Sequence, residues 1–468
     1  MEIIGRKNEI AELKLVAQSK EPEFVVVYGR RRVGKTYLVN QFFDNKFAFK
    51  VTGIAERNAK EKQLANFGEA LRMYGSPLCP NPKNWTEAFW GLKTLLENCH
   101  SEGKKVVFID ELPYMYTRRS DLVSALEHFW NDWGNTQEDL LLVVCGSATS
   151  WIVKNIVNNK GGLHNRLTRK IYLRPFTLSE TKQYLESRGI VLEDRDVAET
   201  YMIMGGIPYY LRMIEKGKSL AQNVDEMFFV RKGRLDGEFN NLYAALYEES
   251  AQYVKVVRAI SKCNRGLSRE EISKETGISN GGGLSTILRD LDECDIIRCY
   301  TGFGKKKKGA LYQLTDFYTF FYFKFIERHQ TSEKGFWKFQ LNTPAQNAWA
   351  GYAFEQLCLY HYPQIEKALG ISGIQTSCGA WQSGQSQIDL LIDRADRVVD
   401  LCEIKYWEQE YTITRQYAEA LRRKMADFKK EENIRKAVHL VLITTYGLKN
   451  NEYRNMVQNE VTLEDLFA

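Results

Sequence analysis

Gly29-Arg30-Arg31-Arg32-Val33-Gly34-Lys35-Thr36 is the stretch of this 468-residue sequence that specifies a chemistry most directly. Its glycines let the backbone curl until N–H groups point inward, which suits phosphate oxygens. Lys35 then has the reach for the β- and γ-phosphates of a nucleotide, and the Thr36 hydroxyl is placed for Mg²⁺. Every fixed position of G-x-x-x-x-G-K-[ST] is met. Residues Gly29 to Thr36, with Tyr37 beyond them, are the expected nucleotide-binding segment, and ATP and Mg²⁺ are the expected cofactors. A glycine-rich turn with a chance lysine is the plain alternative.

Such a loop needs an acid for its metal. Asp110 and Glu111 end the apolar run Val106 to Ile109. Asp110 is expected to hold Mg²⁺, directly or through water, and Glu111 to act as general base on the attacking water. An N-cap pair would carry the same residues. A third apolar run, Leu140 to Val144, leads into Cys145-Gly146-Ser147. Ser147 is a candidate contact for the γ-phosphate or the attacking water, or else a turn serine.

A second constellation lies in the last third. Asp389 sits in the alternating stretch Ser386 to Arg394, and Glu403 and Lys405 sit in Arg397 to Trp407. Charges inside a buried strand are costly without partners. Glu403 and Lys405 are two apart and so share one face of a strand. If the two strands pair as a hairpin, Asp389 lies beside them. Two carboxylates would bind Mg²⁺. The lysine would orient or deprotonate water and stabilise a pentacovalent phosphate. Glu355, on the helical stretch Gly351 to Tyr362, is the further acid. A structural ion pair between Lys405 and Asp389 or Glu403 is the alternative.

These residues require particular elements. Phe24 to Tyr28, before the glycine-rich loop, reads as a strand buried on both faces, and Thr36 to Phe43 as a helix. From Tyr253 to Thr315 the order is helix, helix-turn-helix, then two short strands around a basic tip, the order of a winged helix. Ser268 and Glu271 form a capping box and Gly277 ends that helix. The recognition helix would carry Ser285, Thr286 and Arg289, and Lys305 to Lys308 would sit on the wing tip near phosphate. Asp290, Asp292, Glu293 and Asp295 would repel a phosphate backbone if they faced it. The aromatic stretch Asp316 to His329 is expected to pack between domains. The stretch Tyr417 to Lys430 reads as a basic amphipathic helix, flanking DNA or facing solvent.

Taken in order, "IIGRKNEIAEL" (Ile3 to Leu13), the P-loop, "VVFIDE", "LVVCGSATSWI" and "GGIPYYL" (Gly205 to Leu211) resemble the AAA+-related ATPases of the archaeal-type family. They are similar also to STAND-type switches and origin-recognition ATPases. The resemblance covers roughly residues 1–230. It implies that Ile3, Ile4, Gly5 and Arg6 lie near adenine. It further implies that Gly161 to Phe176 supplies a trans-acting or sensing arginine, with Arg166 and Arg169 as candidates. Glu355, Asp389 and Glu403-Ile404-Lys405 resemble the PD-(D/E)XK nuclease core, with Ile388 where the name has proline. The expected fold is therefore a multidomain α/β mosaic. An AAA+-like parallel sheet (1–175) is followed by a helical lid (176–245), a winged helix (246–330) and a restriction-endonuclease-like domain (331–468).

Composition sets the outer bounds. Apolar residues are 44% and charged residues 26%, ordinary for globular chains. The net charge of +6 permits a nucleic-acid partner without requiring one. The nine cysteines form no CxxC pair, which argues against a disulfide framework or zinc site. No signal pattern or membrane-length apolar run occurs, so a cytoplasmic location is expected. The expected function is a Mg²⁺-dependent ATPase coupled to DNA binding and DNA cleavage. The alternative is a nucleotide-controlled switch that holds a protein partner on an inactive nuclease-like scaffold. Self-association is compatible with the trans-arginine candidates.

Overall fold

The valine run after Glu23 has no polar face to offer solvent, and it becomes strand β1 (Glu23–Tyr28), with Phe24 to Val27 fully buried. Strands β2 (Phe49–Thr52), β3 (Lys105–Asp110), β4 (Leu140–Gly146) and β5 (Arg169–Tyr172) join it in one sheet. The order is β2-β3-β4-β1-β5 and every pairing is parallel. Parallel strands need crossover connections, which cover the sheet and explain why β4 is buried along its whole length. Because the strands run the same way, the loops after β1, β3 and β4 leave from one edge. The glycine-rich loop, Asp110-Glu111 and Ser147 are thereby gathered at the carboxyl ends of three neighbouring strands.

The computed structural model describes residues 2–56, 59–76, 80–117, 120–230, 232–303, 309–329, 335–383 and 386–468. The chain divides into two compact units, one ending at Pro175 and one beginning at Phe176. Lys305 to Lys308, the expected wing tip, lie outside the described residues.

The second unit opens with helices Leu178–Ser187 and Asp194–Met204. Helices Ser250–Ser261, Arg269–Thr276 and Gly282–Glu293 follow, with a small antiparallel sheet of β6 (Leu267–Ser268), β7 (Ile297–Tyr300) and β8 (Leu311–Leu314) in the order β6-β8-β7. The Ser268–Glu271 capping box is formed, and Gly277 closes the helix at φ 68°. The aromatic stretch folds as Phe317–Phe321 running into Tyr322–Ile326, nearly all of it buried. Tyr322 stacks on Phe239 at 3.8 Å, and Phe321 packs edge-on against Trp337 and Trp349. Aromatic burial of this kind welds helices far apart in sequence. No helix among the described residues is long and apolar enough to cross a membrane.

A second five-stranded sheet completes the unit: β9 (Thr376–Ser383), β10 (Ser386–Arg394), β11 (Val398–Lys405), β12 (Ala437–Thr444) and β13 (Asn459–Thr462). Strands β9, β10 and β11 pair antiparallel, whereas β11-β12 and β12-β13 are parallel. Helix Arg415–Glu431 makes the crossover from β11 to β12 that the parallel pairing demands.

Candidate functional site

The glycine-rich loop is shaped by contacts only glycine permits. Gly29 has φ 137°, and a Cβ there would lie 2.3 Å from the Leu173 carbonyl oxygen. Arg32 and Gly34 both take left-handed backbone, and Gly34 caps helix Lys35–Phe42. Lys35 is 5% exposed, and its Nζ donates to the carbonyls of Gly29 and Arg30, both at 2.9 Å. The ammonium thus lies folded into its own loop. Arg6 braces the loop from the N-terminal side: its guanidinium donates to the Val33 carbonyl at 3.1 Å and the Arg174 carbonyl at 2.6 Å. Ile3, Ile4 and Gly5 lead directly into this brace. Arg30 and Val33 are buried. Arg31 donates to the Tyr114 hydroxyl at 3.0 Å, and Tyr37 is exposed on the helix's first turn.

Across the sheet edge, the Thr36 hydroxyl donates to Asp110 Oδ2 at 2.8 Å. Asp110 is 2% exposed, and burial pushes its carboxyl up; the Thr36 hydrogen bond opposes that shift and the Glu111 charge adds to it. A hydroxyl and a buried carboxylate held this close form a hard-oxygen pair that fits Mg²⁺. Glu111 has left-handed backbone, φ 49°, which turns its side chain out of the strand. Its Oε2 accepts from the Ser147 N–H at 3.1 Å and the Ser147 hydroxyl at 2.9 Å. Gly146 permits that approach, since a Cβ there would lie 2.6 Å from Pro113. Ser147 therefore grips the candidate base. Arg166 is exposed, and Arg169 is paired with Glu12 at 3.1 Å.

In the second unit, β10 and β11 pair with Leu390 opposite Cys402, so Asp389 and Glu403 fall side by side one step further on. Asp389 Oδ2 accepts from the Ile404 N–H at 3.1 Å. Lys405 Nζ lies 4.0 Å from Asp389 and 3.7 Å from Glu403. Glu403 is 0% exposed and has two further partners that the sequence reading did not assign. Lys424 Nζ donates to Oε1 at 2.7 Å and to Oε2 at 2.9 Å, and the Tyr417 hydroxyl donates to Oε2 at 3.0 Å. Both come from helix Arg415–Glu431, where Ala418, Leu421 and Phe428 form the buried stripe. Tyr417 and Lys424 fall on that stripe. A lysine among apolar helical positions was the available signal.

Burial, then Asp389, raise the Glu355 carboxyl to about 8. The shift favours the protonated form of Glu355. Glu403 is raised as well, by burial and by Asp389, against the pull of Lys424. Burial alone would lower Lys405, but Asp389 and Glu403 outweigh it and the net shift is upward. Lys405 therefore stays cationic, which suits it to orienting a phosphate and not to taking a proton. Among the described residues, no group of three or more His, Cys, Asp or Glu is arranged to hold a metal ion. A divalent ion shared by Asp389 and Glu403 would have to displace the Lys424 ammonium.

On helix Gly282–Glu293, Ser285, Thr286 and Arg289 are exposed. Asp290 is tied inward by the Tyr253 hydroxyl at 2.8 Å, and Asp292 accepts from the Cys299 N–H at 3.1 Å. Two of the four acids expected to repel phosphate, Asp290 and Asp292, thus help hold the module together.

Residues 3–214 match a family model described as an ATPase domain predominantly from Archaea. The uncharacterised protein MJECL04 of Methanocaldococcus jannaschii is 24% identical over 410 residues, spanning 86% of this chain and 87% of that protein. The uncharacterised ATP-binding protein MJ0423 of the same organism is 40% identical over 43 residues, 9% of this chain and 73% of that protein. The Walker-type ATPase PABY2304 of Pyrococcus abyssi overlays with a TM-score of 0.49 at 18% identity, over 69% of this chain and 96% of that one. The ORC2 protein of Aeropyrum pernix, in its ADPNP-ADP complexes, gives 0.39 at 13% identity, over 77% and 96%.

Proposed function

We propose that this chain, whose residues 3–214 match the archaeal-type ATPase domain model, is a Mg²⁺-dependent ATP hydrolase coupled to DNA binding and to DNA cleavage by the C-terminal sheet. The observation that supports this reading is a matched pair of acid-and-cation clusters on one chain. One is Lys35, Thr36, Asp110 and Glu111; the other is Asp389, Glu403 and Lys405.

In the first cluster, Lys35 leaves the Gly29 and Arg30 carbonyls for the β- and γ-phosphates. The N–H groups of residues 29–36 close round those phosphates, and Ile4, Gly5 and Arg6 flank the adenine side. Thr36 and Asp110 would hold Mg²⁺, which would supply charge neutralisation for the transferring phosphoryl group. Glu111 takes the proton from the attacking water, and Ser147 fixes or releases it. Arg166, exposed, is available to a neighbouring copy. In the second cluster, Asp389 and Glu403 would hold a divalent ion, Lys405 would steady the scissile phosphate, and Glu355, pushed towards its protonated form by burial and by Asp389, would donate a hydrogen bond. Helix Gly282–Glu293 presents Ser285, Thr286 and Arg289 to duplex DNA.

A second reading is favoured by one feature: both Glu403 oxygens are already paired with Lys424 and Tyr417. In that reading the sheet is a scaffold and the ATPase is a switch for a protein partner. ATP turnover with and without duplex DNA, over a salt series, separates the two. Coupling predicts stimulation of turnover by DNA and binding that weakens steeply as salt rises. Turnover indifferent to DNA, with no salt-dependent binding, supports the switch.

A further inference from the structure

A cleft of about 480 Å³ lies between the β7–β8 hairpin and the C-terminal sheet, within the second unit. One wall carries Arg265, Arg298 and Tyr300; the other carries Tyr352, Glu355 and Asp389. Phe303, which follows β7, is tied to the sheet there. The Phe303 N–H donates to the Ala380 carbonyl at 3.1 Å, and the Phe303 ring lies 5.3 Å from that of Phe428. The cleft is therefore part of the fold.

Its chemistry selects an anion. Arg298 is half-buried, and among the described residues its hydrogen bonds go to the Gln313 amide oxygen, with no carboxylate partner. Burying a guanidinium without a counter-charge is costly, and burial does pull its pKa down. Arg298 also lies against the Tyr300 ring at 5.6 Å, an arrangement that keeps a planar fork pre-aimed. Asp389 is shared with Lys405. Amide side chains Gln382 and Gln387 supply donors and acceptors suited to a base edge, and Tyr300 and Tyr352 supply aromatic surface. The volume falls in the range that takes a small ligand, the size of one nucleotide and far below a duplex.

We propose that this cleft receives one nucleotide of a single nucleic-acid strand, with Arg298 gripping its phosphate beside Asp389 and Arg265, which is paired with Glu271 at 2.7 Å, adding positive charge from the same wall. This rests on the nuclease-like reading for its consequence but not for its binding. The hairpin of the winged module thereby forms half of the strand-binding site on the C-terminal sheet.

The test uses full-length protein and a fluorescein-labelled single-stranded oligonucleotide, in Ca²⁺ so that binding is read without turnover. Arg265→Ala and Arg298→Lys are each expected to weaken binding roughly tenfold and to lower the salt slope by about one. Duplex binding through Arg289 should be unchanged. Oligonucleotide affinity equal to wild type in both variants, or no binding by wild type, overturns the proposal. Because Arg298 is half-buried, a second measurement uses wild-type protein alone: photocrosslinking of an iodouracil oligonucleotide, expected at Tyr300 or Tyr352. Crosslinks confined to other segments also overturn it. An oligonucleotide that binds with the arginine dependence intact but stays uncut in Mg²⁺ and Mn²⁺ supports the cleft and sinks only the nuclease reading.

Discussion

Lys35→Ala is expected to abolish productive ATP turnover, lowering it by roughly 10²–10³-fold, the loss typical when a preorganised donor to developing charge is removed. Nucleotide affinity should fall with it if Lys35 reaches the phosphates in the ground state as well, as proposed. The fold should survive. The substitution deletes two hydrogen bonds, to the Gly29 and Arg30 carbonyls, each worth about 1 kcal/mol net, while Arg6 still braces Val33 from outside. Phosphate release and fluorescent-nucleotide titration read the two effects separately. ATP affinity equal to wild type would remove the glycine-rich loop from the nucleotide site.

Lys424→Met should have the largest effect on stability of any single change around the C-terminal acids. It leaves Glu403, fully buried, without its nearest cation. Breaking a buried pair by deleting one partner costs about 3–5 kcal/mol. The low end is expected, since Lys405 remains at 3.7 Å and Tyr417 still donates. Denaturant unfolding measures the loss. Adding Glu403→Gln to the same chain should recover most of it, because no buried charge is then left unpaired. A double variant as unstable as Lys424→Met alone would mean that the lysine's stem, and not its charge, is what the site needs.

The two sites differ in how far the sequence discloses them, and the reason is physical. The nucleotide loop is contiguous: its geometry is made by glycines and a lysine within eight positions, so Gly29, Gly34, Lys35 and Thr36 are readable in place. Asp110 and Glu111 are readable because they close an apolar run, Val106 to Ile109, at the end of a strand. Ser147 was legible as a strand-end residue, but its grip on Glu111 depends on Gly146 letting β4 approach Pro113, a contact between separate loops. The C-terminal acids were legible as charges inside apolar strands. Their pairing partner was not: Lys424 stands among Arg422, Arg423, Lys429 and Lys430, and only its place on the apolar stripe sets it apart. Nor does sequence spacing reveal that Asp290 serves Tyr253, or that the β7–β8 hairpin seats on β9 through Phe303 and Ala380. Long-range packing decides both.

The central claim, that ATP hydrolysis and strand cleavage reside on one chain, is met most directly by one assay. Purified protein is incubated with supercoiled, linear and single-stranded DNA in Mg²⁺ or Mn²⁺, with and without ATP, beside Asp389→Ala and Lys405→Ala. Cleavage by wild type is expected, lost in both variants and altered by ATP. No cleavage under any condition, with ATP turnover intact, would contradict it and leave the C-terminal sheet as a scaffold for a nucleotide-controlled switch.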